Sequence, residues 1–145
     1  MPRPFSGGCA CGAIRYECSA DPTMSLNCHC RDCQRASGSG FTSALVVPAA
    51  AFKLTKGEPK YHAVKADNGN MKHYGFCPEC GSPVPGTILE KPDIVIIPAA
   101  SLDDPSWHKP TAVFWTSSAQ PWDYPNPALQ QFATQPPVGG DHSTN

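Results

Sequence analysis

Apolar residues in this chain recur with a period of two more clearly than with the helical period of about 3.6. They do so in short runs, broken by seventeen prolines and twelve glycines. "AIRYECS" places Ile14, Tyr16 and Cys18 on one face of an extended segment. "FTSALVV" (41–47) is rich in residues that suit strands. "PKYHAV" (59–64) and "MKHYGF" (71–76) flank "KADNGN", whose Asn68-Gly69 pair predicts a tight hairpin turn. "DIVIIPAAS" (93–101) is a near-continuous apolar run and reads as a buried strand, and "TAVFWTSS" (111–118) reads as another. The one clear helix candidate is short, about Arg31 to Ser37, ended by Gly38. A helical turn is expected near "PALQQF" (127–132), and the Pro/Gly/polar stretch 135–145 reads as a flexible tail. The expectation is one small, mainly β domain over residues 1–134, with loops between its strands carrying the chemistry.

Length agrees with a single domain, since 145 residues is within the usual range. The net charge of -1 argues against a nucleic-acid surface. No run of about 18 apolar residues is present to span a membrane. "MPRPFSGGCACG" lacks the apolar core of a secretory signal, so a reducing cytoplasm is the expected compartment.

In that setting the eight cysteines change the picture. Seven fall in tight clusters: Cys9 and Cys11 in "CAC", Cys28, Cys30 and Cys33 in "CHCRDC", and Cys77 and Cys80 in "CPEC". Short spacings in a cytosolic chain point to metal rather than to disulfides. Zinc binds thiolates tetrahedrally at about 2.3 Å, which sets the sulfurs about 3.8 Å apart. In "CPECG" Pro78 presets the turn and Gly81 offers a flexible exit. In "CAC" the chain must bend to bring two sulfurs together, and Gly7, Gly8 and Gly12 are the residues expected to allow it. Cys9, Cys11, Cys77 and Cys80 then make a closed set of four, the pattern of a structural zinc. Cys28, Cys30 and Cys33 make three, and three ligands plus water or substrate is the catalytic pattern.

Spacing is compatible with other partitions. "CPEC" has the form of a redox dithiol, and four thiolates also suit an iron–sulfur cluster. His29, His62, His73 or Cys18 could close the second set into another structural site. Cys18, on an alternating strand face, reads more simply as a buried inert thiol. Around the triad, Arg31 and Arg35 are candidate cations, with Arg35 equally suited to a solvated surface. His29 and Asp32 are candidate acid/base groups, although Asp32 also suits a helix cap. "SGSGF" (37–41) offers backbone N–H groups to an anion, or simply stops a helix. "LDDP" (102–105) reads as a turn, and Trp107, Trp115 and Trp122 as core or rim packing, with one lining a pocket.

"GGCACGAIRYEC", "CHCRDCQRASGSGF" and "FCPECGSPV", in this order, closely resemble the glutathione-dependent formaldehyde-activating (GFA) enzyme family, also called the GFA/CENP-V family. The resemblance continues through "SLDDPSWHKPTAVFWTSSAQPW" and covers Phe5 to about Phe132. It implies a zinc-pinned β-tent fold. It implies two zincs: a structural one on Cys9, Cys11, Cys77 and Cys80, and an open, catalytic one on Cys28, Cys30 and Cys33. It implies a carbon–sulfur lyase that joins a small thiol such as glutathione to a small aldehyde, formaldehyde in the family's name, as S-hydroxymethylglutathione. Tyr74 stands where many members carry a basic residue, two places before the Phe of the "FC" pair, with Lys72 and His73 beside it. The wider family also includes a centromere-associated member, so a non-catalytic zinc module that binds a protein is the alternative. Nothing in the sequence fixes an oligomeric state.

Overall fold

The computed structural model describes residues 4–135. Its strands are β1 (Phe5–Gly8), β2 (Arg15–Cys18), β3 (Met24–Cys28), β4 (Thr42–Pro48), β5 (Phe52–Lys56), β6 (Lys60–Lys65), β7 (Met71–Phe76), β8 (Pro83–Ile88), β9 (Ile94–Pro98), β10 (Ala112–Phe114) and β11 (Gln130–Gln131). One α-helix, α1 (Arg31–Ser37), follows β3, and short 3₁₀ turns punctuate the rest. The mainly β, single-domain expectation holds. Among the described residues no helix is long and apolar enough to cross a membrane.

The strands form two sheets. A three-stranded sheet has the order β1-β2-β5, and an eight-stranded sheet the order β11-β10-β3-β4-β9-β8-β7-β6. Alternation along β4 and β9 divides the large sheet's two faces. Leu45 pairs with Ile97 and Val47 with Val95, all buried, and these meet Phe5, Tyr16 and Cys18 of the small sheet in the main core. Cys18 is wholly buried there, away from both cysteine groups, as an inert thiol should be. The intervening residues, Ala44, Val46, Ile94 and Ile96, face the opposite side, where a cavity opens.

Local signals account for much of this. The Asn68-Gly69 turn joins β6 to β7, with Gly69 at φ +92°. Helix α1 ends at Gly38, whose left-handed φ of 69° lets its N–H bond back to the Gln34 carbonyl. "LDDP" is the expected turn: Asp104 accepts from the Ser106 N–H, while Asp103 accepts from Arg15 and Ser6.

Four expectations are corrected. Residues 127–132 hold a single i→i+3 turn, Leu129 N–H to the Asn126 carbonyl at 3.2 Å, at their start and no helix. An asparagine turn at Asn126 leads into β11, which pairs in parallel with β10, because Gln130 and Phe132 donate to the carbonyls of Thr111 and Val113. The strand in "TAVFWTSS" stops after three residues, since Trp115 takes a left-handed φ of 62° and a 3₁₀ turn follows. Gly7 and Gly8 do not bend the chain but lie in β1. A Cβ on Gly7 would stand 2.3 Å from the Ser101 carbonyl, so close packing explains that glycine. Trp122 is neither core nor rim, being 67% exposed. The expected tail lies outside the described residues apart from Gln135, which accepts from Asn68 Nδ2 at 2.7 Å.

Candidate metal centre

Two groups of cysteine sulfurs form, and they divide as the ligand count suggested. Cys9, Cys11, Cys77 and Cys80 bring their sulfurs within 4.8 Å of one another. Cys9 and Cys11 come from the β1–β2 loop, bent at Gly12 with φ +82°, and Cys77 and Cys80 from the β7–β8 loop, released by Gly81 at φ +77°. Sulfur separations of 3.6 Å (Cys9–Cys11) and 3.8 Å (Cys11–Cys77) match the tetrahedral edge expected around zinc. Backbone N–H groups of Ile14 and Glu79 donate to Cys9 and Cys77 Sγ. The Ser82 hydroxyl, 3.2 Å from Cys80 Sγ, is the main reason that thiol is lowered to about 5. The four sulfurs fit a metal ion with no position left over.

Cys28, Cys30 and Cys33 also gather within 4.8 Å, and no histidine, carboxylate or further cysteine among the described residues joins them. Cys28 ends β3, Cys30 is the N-cap of α1, and Cys33 lies in the helix's first turn, its N–H donating to Cys30 Sγ at 3.3 Å. A strand end running into a cap is thus what folds "CHCRDC" into a claw. Asp32 is therefore not the cap; Cys30 takes that role, and Asp32 sits in the first turn. Hydrogen bonding from Cys28, then from Cys33, holds the Cys30 thiol down at about 2. Hydrogen bonding to Cys30 pushes Cys28 well above the ordinary value. Cys33 rises to about 11, the hydrogen bond from Cys28 being outweighed by Cys30 and burial. Three sulfurs this close share about one negative charge, and a dication is what would release the remaining protons. The donor set fits zinc, with one position open.

His29, next to two ligands in sequence, turns the other way. It is buried, stacks on Phe41 at 5.1 Å and sets Nε2 2.8 Å from Asp123 Oδ2. It is neither a fourth ligand nor an acid/base group at the triad. Gly40 leaves room for that aspartate, since a Cβ there would meet its carboxylate at 2.8 Å. "SGSGF" acts as a helix stop. Its Gly38 and Ser39 N–H groups are taken by the Gln34 carbonyl and the Ser37 hydroxyl, not offered to a ligand.

The open side of the triad faces a cavity of about 250 Å³ between the large sheet, α1 and the β6–β7 turn. β7 supplies two groups that sequence reasoning only noted in passing. Lys72 Nζ lies 3.8 Å from Cys30 Sγ and 3.4 Å from Asp32, and Tyr74 Oη lies 3.7 Å from Cys33 Sγ. Their spacing of two on one strand is the signal that both point the same way. Burial opposes charge on Lys72, but the neighbouring thiolates outweigh it and raise its pKa. Burial, helped by the same thiolates, raises Tyr74 and keeps it a neutral O–H donor. Arg31 lines the cavity and bonds Gln34, whereas Arg35 is exposed on the outer side of α1. Lys72 thus takes the place expected of Arg35. Trp115 is the tryptophan that lines the cavity, while Trp107 packs edge-on against Phe5.

Fold and sites together define a small β protein with two cysteine groups able to hold metal, one closed and one open onto a cavity. Residues 4–118 match the glutathione-dependent formaldehyde-activating enzyme (GFA) family, and the chain belongs to that family. The fold is also similar to the crystal structure of a Rhodobacter sphaeroides protein, at a TM-score of 0.54 and 16% identity, over 88% of this chain and 99% of that one.

Proposed function

We propose that the protein is a zinc-dependent carbon–sulfur lyase that joins a thiol to an aldehyde, and releases them in reverse. The observation that carries this reading is the contrast between the groups: four sulfurs closed on themselves, and three opening onto a cavity. A zinc ion on Cys28, Cys30 and Cys33 would accept a substrate thiol as fourth ligand and lower its pKa from about 8.5. Three thiolates exceed the ion's charge by one, and the Lys72 ammonium beside Cys30 offsets that excess. The reaction needs no redox partner. The thiol's proton passes to solvent, its sulfur forms a bond to the carbonyl carbon, and the C=O π pair moves to the oxygen, which takes a proton back from solvent. The Tyr74 hydroxyl, beside Cys33, is placed to donate a hydrogen bond to that oxygen. Lys72 Nζ also lies over the Tyr74 ring, 5.3 Å from its centre, and helps fix the ring's position. Four cysteines in the closed group and three in the open one, none in a disulfide, suit a reducing cytoplasm. The family's description makes glutathione and formaldehyde the first pair to try.

The test is adduct formation from thiol and ¹³C-labelled formaldehyde, followed by NMR with the zinc-loaded protein. Acceleration over the uncatalysed rate, lost in Cys30→Ser while the second zinc alone is lost, is the expected result. No acceleration with any thiol, alongside a stable protein partner on isolation, would favour a binding module instead.

A further inference from the structure

We infer that the thiol taken by the open triad carries an uncharged hydrocarbon body of about one ring with a short chain, and is not glutathione. This rests on the reading of that site given above. The cavity's floor is the face of the large sheet turned away from the main core. There Leu26, Val46, Ile94, Ile96, Phe114 and Trp115 belong to one contiguous apolar cluster, and all six line the cavity. Cys28 packs against the same cluster, so a substrate sulfur at the triad begins at its edge.

Strand pairing puts these side chains together. Val46 lies opposite Ile96, Leu26 opposite Ala44, and Phe114 beside Cys28. In an antiparallel sheet with one core face, the other face is ordinarily polar where it meets water. Here Leu26, Val46 and Phe114 are buried in that cluster, and Ile94, Ile96 and Trp115 stay partly exposed on its cavity side. Trp115 adds a second, independent observation. It is the one non-glycine residue with positive φ among those described, at 62°, a conformation that side chains rarely adopt. Backbone bonds from Trp115, Thr116 and Ser117 to the segment after β11 hold it there, and the indole lines the cavity.

Charge points the same way. The charged residues of the lining are Arg31 and Lys72 against Asp32 and Asp67, with Lys72 against Cys30 and Asp32. Uncharged polar groups, among them Asn68, Asn70, Thr87 and Gln135, also line it, away from the Val46, Ile94 and Ile96 floor in sequence and strand. Glutathione would bring two carboxylates, an ammonium and two amides. Laying those over Val46, Ile94 and Ile96 would leave polar groups without partners, which is unfavourable. Size is consistent, since an apolar cavity of about 150 Å³ holds benzene, and this one is about 250 Å³.

The experiment titrates the cobalt-loaded full chain with 2-phenylethanethiol, 2-mercaptoethanol and glutathione, reading the thiolate-to-cobalt absorption band. Burying the phenyl group should make 2-phenylethanethiol about 30-fold tighter than 2-mercaptoethanol, and glutathione no tighter than 2-mercaptoethanol. Ile96→Thr should weaken 2-phenylethanethiol about fivefold or more and leave 2-mercaptoethanol unchanged. Glutathione binding as tightly as 2-phenylethanethiol would overturn the inference while leaving the open thiol site standing. So would an unchanged preference in Ile96→Thr. If that variant does not fold, the wild-type series decides alone. No band change with any of the three thiols would overturn the open site and this inference together.

Discussion

Removing the two exposed ligands of the closed group, Cys11→Ser with Cys80→Ser, separates the roles of the two clusters most directly. Neither side chain is buried, so the change removes ligands without opening a cavity. Cys9 and Cys77 remain, too few to hold a structural zinc. What is lost is a clip between segments 66 residues apart, taking Cys11 and Cys77 as its ends. Closing a loop of that length in the unfolded chain is worth about 4 kcal/mol at 25 °C. The triad, by contrast, spans only Cys28 to Cys33, for which the same relation gives about 2 kcal/mol. Moreover, Ser at position 30 would keep the helix cap. Against a usual domain stability of about 5–15 kcal/mol, the first loss is severe and the second tolerable. Urea unfolding of zinc-loaded protein, followed by circular dichroism, gives both values. A melting point lower by about 15 °C is expected for the closed-group variant, and about half that or less for Cys30→Ser with Cys33→Ser. Equal losses would refute the division into a structural and a working cluster. So would a closed-group variant within about 1 kcal/mol of the parent.

Two further outcomes follow from individual contacts. Lys72→Met removes the cation 3.8 Å from Cys30 Sγ and leaves Asp32 facing the thiolates, so zinc affinity at the triad should fall about tenfold or more while the closed group is unaffected; chelator competition reads both, and an unchanged second site would count against the charge argument. Asp103, held down at about 2 by hydrogen bonds from Arg15 and then Ser6, has a folded pKa below its unfolded value; its contribution is therefore present above about pH 4 and lost as pH falls toward 2. Both partners are more than a third exposed, so screening limits the pair to about 0.5–1 kcal/mol, and Asp103→Asn should flatten the acid limb of stability by that amount.

The parts of this molecule that were legible in sequence are those fixed by short spacings. Cysteines two or three apart must share a site if they bind one ion. Asn-Gly must turn, and Gly38 must end a seven-residue helix. What sequence did not reveal depends on contacts between distant segments. Lys72 and Tyr74 reach the triad because β7 lies across the cavity from α1, more than 40 positions away from the cysteines they touch. His29 looked like a ligand because both its neighbours are ligands. Yet backbone pairing of its N–H with the Phe114 carbonyl rotates its ring toward Phe41 and Asp123. The strand at "PALQQF" gave no period-two signal because only two residues pair, and its partner β10 is itself three residues long.

The segment "DIVIIP" shows how a correct element can conceal a site. A continuous apolar run is what a strand covered on both faces requires, and the strand is there. Val95 and Ile97 meet the small sheet and need no further explanation. Ile94 and Ile96 meet the cavity, and nothing in the run distinguishes them from their neighbours. Polar residues at those two positions would have given the alternation of a half-solvated strand, with little loss to the main core but at a cost to the second cluster of Leu26, Val46, Ala112 and Phe114 that both isoleucines pack against. Their apolar character serves that cluster and the cavity alike. It makes sense if the face is covered during function, and the open cysteines beside it set where the covering molecule must place its sulfur.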